Sequence, residues 1–163
     1  MKKLLGTMVG GFLASVVVMQ VAYAAESGQQ VPPPMLLERS SPLGFDETLA
    51  RIEANAKELG WKVPKKWKVN VRGNMKRATG KDIGPNRVLK MCEPHAAVEL
   101  LLQDRYKMLT AMMPCTIAVY VKSDGKTYVS MMNLDLMGKM YGDDVEKMAV
   151  KLAPQMEQML TFD

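Results

Sequence analysis

The sequence predicts an α+β fold, a two-layer sandwich with helices on one face of a mixed or antiparallel sheet. Segments with helical periodicity alternate along the chain with short strand-like segments, and there is no internal repeat. The strand-like runs Thr116–Val121 and Thr127–Met132 are separated by a short polar segment with Asp124-Gly125 at its centre. Asp-Gly between two such runs is a strong signal for a tight antiparallel hairpin. A hairpin combined with amphipathic helices favours helices that cover one side of the sheet.

The N-terminal 24 residues have the pattern of a cleavable secretory signal peptide. Lys2 and Lys3 precede an apolar stretch, and the small-residue site Ala22-Tyr23-Ala24 follows it. An uncleaved membrane anchor is the alternative, but the apolar stretch is slightly short for a span and rich in glycine. We therefore expect a periplasmic protein that is not integral to the membrane after cleavage. Residues 25–34 are expected to form a flexible, proline-ended linker, and residues 35–163 a single domain.

The first half of the domain contains one clear helix between two strand candidates. Met35 to Arg39 is the first candidate, and the alternation of apolar and polar residues from Trp67 to Arg72 predicts the second. Between them we expect a helix with Asp46 as its N-cap and Gly60 as its C-terminal stop. Apolar residues recur there at spacings of four and three, at Phe45, Leu49, Ile52, Ala56 and Leu59. The polar stretch from residue 73 to residue 86, with its three glycines, predicts a loop, with a helical turn inside it as the alternative.

The second half contains the hairpin and two further helices. Arg87 to Met91 is a strand candidate, and Pro94 suits the first position of the helix that follows. The expected apolar face of that helix is Ala97, Val98, Leu101 and Leu102. Asp143 should cap the last helix, with Glu146 three residues later, and Pro154 should kink or divide it. The expected buried stripe of the last helix is Val145, Met148, Ala149, Leu152, Met156 and Met159.

Positive charge is concentrated in residues 61–91, which hold ten lysines or arginines and one acidic residue, Asp82. The formal charge of the chain falls from +5 to +3 when Lys2 and Lys3 leave with the signal peptide. For an exported protein we expect no nucleic-acid partner. The basic strip predicts an anionic partner such as lipid, an acidic protein or a small anion. The other interpretation is a solvated face without a specific partner.

Two short segments hold all the thiol and imidazole groups of the chain. They are Met91-Cys92-Glu93-Pro94-His95 and Met112-Met113-Pro114-Cys115. Cys92 comes just before a predicted helix, whose N-terminal dipole would lower the pKa of a thiol and increase its reactivity. The negative charge of Glu93 beside it would oppose this effect. Pro94 has no backbone N–H and so removes one amide that could donate a hydrogen bond to a Cys92 thiolate.

Three hypotheses for the cysteines remain open. Cys92 and Cys115 could form a disulfide, which an oxidising compartment and an even count favour. The thiols could bind a soft metal, with Cu(I) the favoured ion, together with His95, Met91 and Met113. Both thiols could also be buried and inert. The spacing matches neither the zinc patterns nor the C-x-x-C motif of thioredoxin-like proteins, and the sequence does not say whether both cysteines reach the same end of the sheet.

The order of several motifs resembles the bacterial domain-of-unknown-function family 302. The matching features are Phe45-Asp46-Glu47-Thr48 opening the first helix, Gly60 closing it, Cys92-x-Pro94-x-x-Ala97, Pro114-Cys115 and Asp124-Gly125. The chain departs from the family pattern by carrying Glu93 where Asn is common and Met113 where Leu is common. The resemblance implies a compact two-layer α/β domain that often pairs as a homodimer. It implies no particular biochemical activity.

These observations favour an exported accessory or binding protein rather than an enzyme. In this interpretation Cys92 and Cys115 bind a soft metal or a small ligand, with His95 as a helper. The alternatives are a periplasmic thiol–disulfide redox protein and a purely structural dimeric module. No carboxylate pair, glycine-rich phosphate loop or nucleophile signature points to a specific reaction.

Overall fold

A computed structural model describes residues 34–162 of the protein, and these form one five-stranded antiparallel sheet with helices packed against it. The strands are β1 (Leu36–Ser40), β2 (Lys68–Asn70), β3 (Asn86–Met91), β4 (Cys115–Val121) and β5 (Thr127–Met132). Their order across the sheet is β1-β5-β4-β3-β2, and every neighbouring pair is antiparallel. The predicted α+β architecture is confirmed.

Among the described residues, three α-helices lie between successive strands, and two follow the last strand. They are α1 (Phe45–Glu58), α2 (Val71–Thr79), α3 (Pro94–Leu101), α4 (Leu134–Tyr141) and α5 (Asp143–Gln158), and a 3₁₀ segment, Asp104–Met112, lies between α3 and β4. The chain crosses from β3 to β4 through α3 and this segment. The predicted hairpin joins β4 to β5, with Gly125 in the left-handed region at φ +77°.

The two faces of the sheet have different surroundings. Side chains at odd positions of the central strands, such as Leu89, Ile117 and Val129, are buried beneath the helices. On the same face, Lys68 of β2 pairs with Glu53 of α1. Side chains at even positions of β3, β4 and β5 lie on the opposite face and are mostly half-buried. We call this second face the open face of the sheet.

Most predicted elements are present with small shifts at their ends. The strand candidates at residues 35–39 and 87–91 and both hairpin strands are observed, as is the first helix. Its N-cap is Gly44, so the prediction of Asp46 as the cap is wrong by two residues. Glu47 closes this helix end by accepting a hydrogen bond from the Gly44 amide, with 3.3 Å between Oε2 and N. Asp46 instead lies in the first turn, where an acidic side chain stabilises the helix dipole.

The helices α2 and α4 were not predicted. Each begins at an N-cap side chain in a segment where the sequence pattern did not indicate a helix. The strand expected through Arg72 ends at Asn70, whose Oδ1 accepts from the Gly73 amide at 3.0 Å and starts α2. The first half of the expected loop, residues 73–79, is therefore helical. Asn133 starts α4 in the same way, accepting from the Leu136 amide at 3.1 Å. Asn is among the best N-cap residues, and each cap satisfies an otherwise unpaired helical amide.

The predicted apolar face of α3 is wrong at Val98 and Leu102, whereas Ala97 and Leu101 are half-buried. Ala96 and Leu100 are buried, whereas Val98 and Leu102 are 46% and 76% exposed. The segment is apolar on several sides, so periodicity alone does not say which stripe meets the core. The path that the chain takes from β3 into Pro94 fixes the rotation of the helix instead.

The last helix follows the predicted stripe, although its start and its proline differ from expectation. Five of the six predicted stripe positions are buried, and Met148 is half-buried. Gly142 rather than Asp143 is the N-cap. Pro154 lies inside α5 without dividing it. At the crossing of α4 and α5 the backbones come close, because Gly138 has no side chain to separate them.

The predicted signal peptide lies outside the described residues, as does the predicted linker except for Pro34. From residue 34 to residue 162, no helix is both long and apolar enough to cross a bilayer.

Candidate ligand-binding site

The two cysteines lie at the same end of the sheet. Cys92 directly follows β3, and Cys115 is the first residue of the neighbouring strand β4. In the register of these strands, Met91 is directly opposite Cys115. The chain therefore returns, after α3 and the 3₁₀ segment, to the place it left at Cys92. Both thiols are free in this structure.

A cavity of about 240 Å³ occupies this end of the domain. Its wall combines the two residues that follow β3, the start of β4 and the end of β5 with the first turn of α3 and with side chains from α4 and α5. Among the lining residues, Met131 lies on the helix-covered face of the sheet, whereas Ser130 and Ala118 lie on its open face. The cavity therefore reaches from the helix layer to the open face.

Sulfur-bearing side chains form a large part of the cavity wall. Cys92 and Cys115 both contribute to it. Seven methionines join them, namely Met112, Met113, Met131, Met132, Met137, Met148 and Met156. Methionine is flexible and polarisable, and its sulfur makes favourable contacts with aromatic rings. A wall of this composition suits an apolar, polarisable occupant.

Hydrogen bonds fix the positions of Trp61 and Cys92 in the wall. The indole Nε1 of Trp61 donates to Oε1 of Gln155 on α5, with 2.7 Å between the two atoms. The backbone of Cys92 forms a two-way bridge with Lys62: the Lys62 amide donates to the Cys92 carbonyl at 2.9 Å, and the Cys92 amide donates to the Lys62 carbonyl at 3.1 Å. The segment after α1 is thereby tied to the end of β3.

The electrostatics keep both thiols protonated at neutral pH. Burial, followed by the nearby Cys92 thiol, raises the pKa of Cys115 to about 11. Burial also raises the pKa of Cys92, with a further contribution from the negative charge of Glu93. The expectation that the helix N-terminus lowers the pKa of Cys92 is therefore wrong.

The cap of α3 explains the second cause of the raised Cys92 pKa, the charge of Glu93. The Glu93 carboxylate accepts from the His95 amide at 3.2 Å and from the Ala96 amide at 2.6 Å. The donors that would have stabilised a Cys92 thiolate are therefore engaged by a carboxylate, and that carboxylate adds its own negative charge. Protonated thiols are weak nucleophiles, so this arrangement favours packing or soft-ligand contacts over covalent chemistry.

The structure brings together only part of the predicted metal-ligand set. Cys92, Cys115 and Met113 line the cavity, and their role as ligands stays a prediction. Met91 is fully buried in the core and is not part of the lining. His95 is exposed and does not line the cavity. Among residues 34–162, no group of three or more His, Cys, Asp or Glu side chains is arranged to hold a metal ion.

Several lining residues were not identified from the sequence. Trp61, Glu93 and the methionines of β5, α4 and α5 carried no motif that assigns them to a site. The only available signal was the high methionine content, 16 in the whole chain. The methionine content did not point to a site, because methionines spaced at helical intervals are most simply explained as side chains that pack in the core.

The basic strip at residues 61–91 is partly neutralised within the described domain. Asp82 accepts from Arg72 at 2.7 and 2.8 Å and from Lys76 at 3.2 Å. These contacts, with Arg72 the largest contributor, hold the pKa of Asp82 well below its usual range. Lys68 is paired with Glu53. The anionic partner for the remaining cations stays a prediction.

Comparison with known proteins agrees with this fold. A crystal structure of an uncharacterized conserved DUF302 protein from Bacillus stearothermophilus superposes with a TM-score of 0.67 at 21% identity. The match covers 77% of this chain and 95% of the other. No curated protein is significantly similar to this sequence. Residues 37–162 match the family described as "Domain of unknown function DUF302". The chain therefore belongs to the DUF302 family.

Proposed function

We propose that the protein is an exported accessory protein that binds a small apolar molecule in the sulfur-lined cavity. The observation that carries the proposal is an apolar cavity of about 240 Å³ with nine sulfur-bearing side chains in its wall. An apolar cavity of about 150 Å³ accepts benzene. This larger cavity suits a bicyclic aromatic molecule such as indole.

The residues of the wall support binding rather than catalysis. Methionine sulfurs and the Trp61 side chain favour contact with an aromatic occupant. The described lining has no histidine to deprotonate Cys92 or Cys115, and the pKa values of both thiols are raised. A molecule in the cavity would therefore be held by non-covalent contacts.

Methionine-methyl NMR with indole as the probe tests the proposal. We expect indole to shift the methyl signals of the seven lining methionines. The signals of the exposed Met75, Met108 and Met140, which lie outside the cavity, should stay in place. Uniform small shifts, or no shift at millimolar indole, would count against the cavity as a binding site.

A matched pair of substitutions locates the binding. Ala97 lines the cavity from α3, whereas Ala50 is exposed on α1. Ala97→Phe should fill the cavity and weaken indole binding at least tenfold in calorimetric titration. Ala50→Phe introduces the same side chain on a helix surface and should leave the affinity unchanged. Equal affinities in the two variants would place the bound indole elsewhere.

The export component of the proposal is supported by the N-terminal sequence. A basic start, an apolar stretch and the site Ala22-Tyr23-Ala24 are typical of a secretory signal. Expression in a bacterium followed by N-terminal sequencing of the periplasmic fraction should find Ala25 as the first residue. Recovery of the full-length chain from the membrane fraction would contradict cleavage.

A second candidate function is binding of a soft metal such as Cu(I). It is supported by the presence of Cys92, Cys115 and Met113 in one cavity wall, because thiolate and thioether sulfur suit Cu(I). Binding would have to displace the thiol protons, so the apparent affinity should rise with pH.

Titration with Cu(I) against a competing chelator tests this second function. Cys92→Ala and Cys115→Ala should each reduce copper retention strongly. His95→Ala should not, because this side chain lies outside the cavity wall. Retention that is unchanged in both cysteine variants would exclude this site.

The two remaining alternatives have direct tests. For a thiol–disulfide redox role, thiol counting without reductant should show a disulfide that mild reduction opens. A reduction potential below about −300 mV would mark the disulfide as structural instead. For a homodimer, sedimentation analysis of the purified protein should show twice the monomer mass.

A further inference from the structure

We infer that the cavity takes a small organic cation, an aromatic or aliphatic amine whose apolar body lies among the sulfurs and whose charged group lies beside Glu93. This inference rests on the proposed function, because it names the ligand class for the same cavity. It follows from the charge distribution of the wall.

Glu93 is the one formally charged residue in the described lining. No lysine, arginine or histidine of residues 34–162 contributes to that wall. Lys90 comes close in the strand register, opposite Thr116, but it is not part of the lining. Glu93 belongs to none of the ion pairs that the described residues form. Among residues 34–162, the cavity therefore has a negative group without a cationic partner.

The Glu93 carboxylate is held in place and retains acceptor capacity. Its two oxygens accept from the His95 and Ala96 amides at the start of α3. An ionised carboxylate has about four lone-pair sites, so two such bonds leave room for a ligand donor. The helix amides offset part of its charge, yet its field still reaches the cavity, where it contributes to the raised pKa of Cys92.

The rest of the wall is compatible with an organic cation but not with an anion. An indole ring such as that of Trp61 attracts cations at its face, and methionine sulfur is polarisable. A carboxylate or phosphate on the ligand would meet Glu93 without any compensating cation in the wall. Charge should therefore discriminate among ligands that have the same apolar body.

Three ligands with nearly the same shape test this inference by isothermal titration calorimetry. They are tryptamine, which is cationic at pH 7, the neutral 3-propylindole and the anionic indole-3-propionate. We expect tryptamine to bind about fivefold more tightly than 3-propylindole, the ratio for a partly solvated ion pair. Indole-3-propionate should bind more weakly than both.

Glu93→Asn is the matching variant, because Asn is a strong N-cap and carries no charge, although its side chain is one methylene shorter. It should abolish the preference, so that tryptamine and 3-propylindole bind with equal affinity. Glu99→Gln removes a charge from the exposed side of the same helix and should keep the preference. Measurable binding of 3-propylindole also shows that the Asn variant is folded.

The outcomes separate the two proposals. If 3-propylindole binds in the cavity but tryptamine binds no more tightly, the inference about charge is wrong and the apolar binding function stands. If the preference for tryptamine persists in Glu93→Asn, the assignment to Glu93 is wrong. If none of the three ligands shifts the lining methionine signals, the proposed function itself fails.

Discussion

The contact between α4 and α5 provides a sharp test of the structure, because it depends on the absence of one side chain. A Cβ atom on Gly138 would lie 2.6 Å from the Cβ of Ala149 and 3.2 Å from the Cα of Glu146. Neither atom is the mobile end of a long side chain, so the helices themselves would have to separate. Met137 of α4 and Met148 of α5 line the cavity, so separation of the two helices would also widen the cavity.

Two opposing effects set the expected magnitude for Gly138→Ala. Ala is favoured over Gly in a helix interior by about 1 kcal/mol. Overpacking of a rigid contact costs about 1–3 kcal/mol, and the rigidity of both partners places this case near the upper end. We therefore expect Gly138→Ala to lower the free energy of unfolding by about 2 kcal/mol and to weaken indole binding.

Urea denaturation followed by circular dichroism measures this change, and Ala149→Gly supplies the control. The double variant Gly138→Ala/Ala149→Gly moves the methyl group from one helix to the other and relieves the overlap. It should be less destabilised than the sum of the two single variants, which would identify the contact as the cause. A Gly138→Ala variant at least as stable as the wild type would refute the close approach of the helices.

Three further predictions concern buried and charged groups. Thr48→Val should lower the free energy of unfolding by about 1–2 kcal/mol in urea denaturation, because the buried Ser41 hydroxyl loses Thr48 Oγ1, 2.7 Å away, and keeps only the bond that it accepts from the Leu43 amide; adding Ser41→Ala should recover part of the loss. Alkylation of Cys115 by iodoacetamide, followed by peptide mass, should accelerate up to about pH 11, and a half-maximal rate near pH 9 would contradict its burial. Asp82→Asn should lower the urea midpoint more at pH 7 than at pH 2, because Arg72 lowers the pKa of Asp82 and the stabilisation, complete well above the ordinary value of 3.8, declines as the pH falls towards the folded value; an equal deficit at both pH values would contradict the ion pair.

The sequence predicted those elements whose signal is local. The stripe of α1, the alternation in β4 and β5 and the Asp-Gly turn are each contained within a few residues, and each is observed. α2 and α4 were missed because a single Asn side chain starts each of them. A cap of this kind is not distinguishable in sequence from a turn residue, since Asn serves both purposes.

The candidate site was predicted only in part, for a different physical reason. Cys92 and Cys115 stood out as rare residue types, and strand register brings them to one end of the sheet. The cavity between them depends on α4 and α5, which are distant in sequence and contribute ordinary apolar residues. The pKa of Cys92 was predicted in the wrong direction because burial of the thiol, the larger cause, and capping by Glu93 were given too little weight against the dipole of α3.

The distribution of methionines argues that the cavity is a feature of function rather than a packing defect. At about 24 cal/mol per Å³, an empty apolar cavity of 240 Å³ would cost up to about 6 kcal/mol, which is comparable with the whole stability of a small domain. Opening to solvent reduces this cost but does not remove it. Methionine is the residue best able to fill an irregular gap, yet seven of the 13 methionines from residue 34 to residue 162 surround this space without closing it. Flexible side chains that could collapse onto one another, but leave room between them, are suited to adjust around an occupant.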